Sequence, residues 1–126
     1  MKEFNNSELA ALVSLLVEMA NVDNKVAIEE IVEFQRIVDE YHIPMDVVEA
    51  GKQLSYDYAI SVVKGMSEVK KVLVAKLVVS IMDADLKQED VEFALLKDIC
   101  IKTGIDKIVN CEDNGPSIKE KIKGGQ

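Results

Sequence analysis

The feature that most constrains this chain is a recurring order of local signals: an apolar helical stretch, a short acidic loop, then a second helix that opens with acids. Shifting the sequence by sixty positions lays Asp23-Asn24-Lys25-Val26-Ala27-Ile28-Glu29-Glu30-Ile31 over Asp83-Ala84-Asp85-Leu86-Lys87-Gln88-Glu89-Asp90-Val91. Each copy has an Asp, an apolar residue three positions on, two acids at six and seven, and an apolar residue after them. Each follows one apolar helix and starts another, which points to an internal two-fold pseudo-repeat of helical units.

The periodicities around these loops are helical. Leu9, Leu12, Val13, Leu16, Val17 and Ala20 follow one helix face from a cap at Ser7, so a first helix is predicted from Ser7 to Ala20. Asn21 to Lys25 is a polar break, and a second helix follows from Ile28 to His42, with Ile31, Phe34, Val38 and Tyr41 on its inner stripe. Pro44 ends it, because the residue before a proline is pushed out of helical geometry. Two short helices are predicted at Asp46–Leu54 and Tyr56–Lys64, with Ser55 as a cap and Gly65 as a C′ residue. Ser67 caps a helix that runs to Met82 and is apolar nearly all round, the mark of a buried central helix. The last long helix spans Gln88 to Thr103, carries Val91, Leu95 and Ile99, and is closed by Gly104. Valine-rich stretches such as Val72 to Val79 are not strands, since no turn pairs them into hairpins. The fold class is therefore all-α: one compact domain of six to seven helices over residues 1–110, then a polar, weakly ordered tail over 111–126.

Composition narrows the partners. A net charge of −8 with a single arginine, Arg36, argues against nucleic acid, whose phosphates demand a surplus of basic residues. The lysines at 64, 70, 71 and 76 are interrupted by Glu68 and are expected to be solvated. Leu9 to Ala20 lacks the basic start and small-residue cleavage site of a signal peptide, and Val72 to Met82 is too short to span a bilayer. Cys100 falls on an apolar helix face and Cys111 in the tail, with neither metal-like spacing nor a disulfide framework. A reducing cytoplasm is the expected compartment, with no direct membrane insertion.

The acids in the repeat support two readings. Glu29, Glu30, Glu89 and Asp90 fall in first helical turns, where each contributes about 0.3–1 kcal/mol against the helix dipole without any ligand. Alternatively Asp23, Asp83 and Asp85, with those helix-opening acids, supply oxygen ligands to a hard divalent cation, Ca²⁺ or Mg²⁺. An EF-hand is excluded. Counting from Asp83, the fifth, sixth and twelfth positions are Lys87, Gln88 and Ala94, and from Asp23 the third is Lys25. Any such site must be assembled from both copies by the fold.

No nucleophile elbow, P-loop or dinucleotide fingerprint is present. His42 is the single histidine, so a di-iron carboxylate centre lacks its second half, and the residue is expected at a helix C-terminus. The residues nominate no catalytic group.

At the two acidic loops the sequence resembles the tellurite-resistance TerB-like family. The resemblance rests on Ala20-Asn21-Val22-Asp23-Asn24-Lys25-Val26-Ala27-Ile28-Glu29-Glu30 and on Asp83 to Asp90. It extends to the capped start at Met66-Ser67-Glu68-Val69-Lys70-Lys71 and the closing turn Lys102-Thr103-Gly104-Ile105, covering Leu9 to Ile105. Asn24 and Ala84 stand where the family usually has glycine. Asn tolerates a left-handed turn and Ala does not, so the second loop is expected to be built differently. The positions that would cap the second helix of each unit hold Ala27 and Lys87, both poor caps. The resemblance implies a non-enzymatic bacterial stress-response domain, with acids that bind a metal ion or a protein partner. The alternative is a structural adaptor that docks a protein through an apolar groove between the mid-chain helices, beside Met45, Val47 and Val48.

Overall fold

A computed structural model describes residues 4–85, 89–109 and 115–124, which form eight helices and no strand. They are α1 (Asn6–Asn21), α2 (Ile28–Glu40), α3 (Met45–Gln53), α4 (Tyr56–Lys64), α5 (Glu68–Ala84), α6 (Asp90–Thr103), α7 (Ile105–Ile108) and α8 (Gly115–Gly124).

Two helices form the axis of the core. Every residue of α1 from Leu9 to Leu16 is buried, and Met19 with them. On α5, burial is confined to the later turns, Val74 to Met82, whereas Val69 at its start is exposed. α1 packs against α3, α4 and α5. Gly51 of α3 makes one of these contacts close: a Cβ there would lie 2.6 Å from Val13 Cβ and 2.7 Å from the Ala10 carbonyl oxygen. α2 packs chiefly on α5, while α6 packs against α4, α5, α7 and α8. Lys70 Nζ reaches Glu8 Oε1 at 2.9 Å and ties the starts of α1 and α5 together.

The helix ends explain several departures from the sequence reading. Ser7 lies inside α1; the cap is Asn5, whose side chain accepts the Glu8 N–H at 2.8 Å while Glu8 Oε1 accepts the Asn5 N–H at 2.9 Å. α2 ends at Glu40, before Pro44, because His42 turns left-handed at φ 52. Pro44 instead starts α3 as its N-cap. Gly65 stays right-handed at φ −84, whereas Gly104 closes α6 at φ 85 as expected. Ser55 and Ser67 cap α4 and α5 through the N–H groups of Tyr58 and Lys70.

Two burial expectations fail. Ile31 is 55% exposed, because the inner face of α2 is formed by Phe34, Ile37, Val38 and Tyr41. Val91 is exposed as well. Toward the C-terminus, residues 115–124 form α8, which packs on α5 and α6 and buries Ile118 and Ile122 in the main core. A polar average had hidden an amphipathic spacing of four. Cys111 and the loop positions Leu86, Lys87 and Gln88 lie outside the described residues. No helix among the described residues is long and apolar enough to cross a membrane.

Candidate functional site: an acidic junction between helix starts

The loop from α1 to α2 begins with Asp23, whose Oδ1 accepts the Lys25 N–H at 3.0 Å, and turns at Asn24 with φ 63. Asn holds this left-handed conformation more readily than most side chains. The α2 helix then starts from Ala27. Having no polar side chain, Ala27 cannot cap the helix, but the reverse half of a capping box is made: Glu30 Oε1 accepts the Ala27 N–H at 2.9 Å. At the start of α6, Glu92 Oε1 accepts the Glu89 N–H at 2.8 Å in the same way.

These two glutamates are 62 positions apart, not sixty, and the interval recurs elsewhere. Asn5 and Ser67 cap α1 and α5, Ala27 and Glu89 precede α2 and α6, and His42 and Gly104 take left-handed backbone after them. The interval of 62 is already present between the caps of α1 and α5, and at the far end α5 runs on through Ala84, which keeps Asp83 helical and leaves Asp85 as the first residue beyond the helix. Asp85 therefore takes the place that Asp23 has after α1, and Glu89 starts α6 where Lys87 was expected to.

Glu30 and Glu92 are each 1% exposed. Burial is the largest influence on both carboxyls and pushes them above the ordinary carboxylate range; the capping N–H groups oppose it. Carboxylates add to the rise. Asp85, Asp23 and Glu29 act on Glu30, while Asp23, Glu30 and Asp85 act on Glu92. The fold thus brings Asp23, Glu30, Asp85 and Glu92 within electrostatic reach of one another from the ends of four helices.

The remaining candidates fall outside this group in different ways. Asp83 is held by two lysines of α8, Lys119 at 2.6 Å and Lys123 at 2.9 Å. Glu29, Glu89 and Asp90 are exposed in or beside first turns, the position of the helix-end reading. Glu92 is the residue that sequence reasoning missed, although the spacing Glu89-x-x-Glu92 repeats Ala27-x-x-Glu30. Among the described residues, no group of three or more His, Cys, Asp or Glu is placed to hold a metal ion. The carboxylate oxygens are the right donors for a hard cation, but as they stand they do not make a closed ligand set.

Of the three apolar residues named beside the docking groove, two are covered by the core. Val47 and Val48 are buried with the core and only Met45 is exposed. An open apolar groove of about 380 Å³ lies along the mid-chain helix α5 and α7, lined by Glu68, Val69, Val72, Leu73, Lys76 and Ile108.

Comparison with known proteins bears on the fold. No family model matches the chain, and no curated protein does. The crystal structure of a protein of unknown function from Porphyromonas gingivalis W83 is similar, with a TM-score of 0.70, 24% identity and 96% of each chain covered. The all-helical architecture is therefore one that another protein adopts along nearly its full length.

Proposed function

We infer that this protein is a non-enzymatic, TerB-like binding domain whose acidic junction receives a positively charged group, either a divalent cation or a basic side chain of a protein partner. The observation that carries this reading is the burial of Glu30 and Glu92 among other carboxylates. A glutamate three residues into a helix can satisfy the cap from the surface. Burying two of them beside Asp23 and Asp85 costs stability that an incoming cation would return. A role in tellurite resistance or other bacterial stress responses rests on the sequence resemblance at the acidic loops.

Thermal melts with millimolar Ca²⁺, Mg²⁺, Mn²⁺ or Zn²⁺ test the metal form of this reading. A ligand present at a hundred times its dissociation constant adds about 2.7 kcal/mol of stability. The expected result is a raised midpoint in the parent and none in an Asp23→Asn/Asp85→Asn variant. Melting curves that no cation moves would end the metal form and leave the basic partner.

A further inference from the structure

We propose that the outward face of α2, built from Ile28, Ile31 and Val32, docks a basic amphipathic helix of a partner protein, with a lysine or arginine of that helix reaching the acidic junction. This rests on the cation reading above and names its occupant. Ile28, Ile31 and Val32 are 76%, 55% and 62% exposed. Their spacing of three and four places them side by side on one helix face. Val26, just before the helix, is exposed too. Three branched aliphatic side chains in solvent on a helix whose opposite face is already in the core form a partner-binding stripe.

Charge selects the partner. α2 carries five carboxylates and one arginine, and that arginine is engaged by Glu33 and Glu40 on its own helix. Glu29 is exposed beside Ile28, and Asp23 and Asp85 lie within reach of Glu30 at the same end. A second copy of a chain with net charge −8 would bring the same carboxylates into opposition, and an anionic membrane or nucleic acid would be repelled likewise. A cationic helix satisfies both the apolar stripe and its acidic end.

The test uses the full chain and a fluorescent amphipathic peptide of leucine and lysine, with a leucine–glutamate peptide of the same spacing as control. Anisotropy should show binding of the lysine peptide alone. Ile28→Ser/Val32→Ser, which changes no charge, should weaken it about tenfold, or about 1.4 kcal/mol. Asp23→Asn/Asp85→Asn should weaken it severalfold, and Val69→Ser on α5 should leave it unchanged. Undiminished binding to Ile28→Ser/Val32→Ser, or an equal loss with Val69→Ser, would overturn the proposal as unspecific attraction. If Ca²⁺ stabilises the parent but the peptide does not bind, the docking surface falls and the cation reading stands. If Asp23→Asn/Asp85→Asn moves neither melt nor peptide binding, both fall.

Discussion

α2 and α6 begin and end alike, yet they occupy different environments. Each starts with a buried glutamate that accepts the N–H of the residue before the helix, and each is followed by a residue in left-handed backbone. α6 packs against α4, α5, α7 and α8, and Tyr56 of α4 donates its O–H to Asp98 of α6 at 2.8 Å. α2 lies chiefly on α5 and buries only Glu30, Ile37 and Val38. The same local chemistry of starting a helix thus serves an element with several packing neighbours and one that rests chiefly on a single helix. Capping is a property of a few neighbouring residues, whereas burial depends on which other elements arrive to cover a face.

The largest effect expected comes from truncating one fully buried isoleucine on each of the two helices. Ile37→Ala on α2 and Ile99→Ala on α6 remove fully buried side chains, and each should cost about 2–5 kcal/mol in denaturant unfolding. Ile99→Ala should cost more, because neighbours on several sides of α6 hold the cavity open, while α2 can settle onto α5. Equal losses would break the contrast between the two helices. Next in size is Gly51→Ala, which forces a methyl group against Val13 and the Ala10 carbonyl and should cost about 1–3 kcal/mol. At Gly65 the nearest atom to an added Cβ is 3.6 Å away, so Gly65→Ala should be close to neutral by the same assay.

A smaller effect should appear as a dependence on pH. A carboxyl whose pKa is higher in the folded protein than in the unfolded chain holds its proton more tightly when folded. Glu30 and Glu92 therefore favour folding most below their ordinary value of 4.5, and this contribution is lost as pH rises through their raised folded values. Glu30→Gln/Glu92→Gln keeps an oxygen for each capping N–H and removes both charges. Its melting midpoint should exceed the parent's at pH 7 and the gap should close toward pH 4. A variant that melts lower than the parent at pH 7 would show that the ionised pair is stabilising. Least of all should be Ile31→Ser, expected to change stability by no more than about 0.5 kcal/mol because the side chain is already in water. A loss of several kcal/mol there would return Ile31 to the core and erase the open face of α2.

Much of this fold was legible in the sequence. The boundaries of α3, α4 and α5 follow from Ser55, Ser67 and the apolar spacing, since caps and periodicity act over a few residues. The two acidic loops were visible for the same reason. Glu92 was not, because a match keyed on adjacent acids chose a shift of sixty, while the caps of α1 and α5 and the helix starts at Ala27 and Glu89 are spaced by 62. Which acids meet was beyond local rules altogether. Asp83 and Asp85 are near neighbours in sequence, yet one is bound by lysines of α8 and the other joins Asp23, Glu30 and Glu92.

The amino-acid sequence by itself therefore determined that this chain is helical, where most of its helices begin and end, and that acids cluster at two of its turns. Those features depend on hydrogen bonds and side-chain spacing within a few residues. Only the tertiary structure decided that Glu30 and Glu92 are buried near the same aspartates, that Ile31 faces water, and that α8 belongs to the core. Each of those outcomes depends on how elements far apart in the chain divide a limited interior between them.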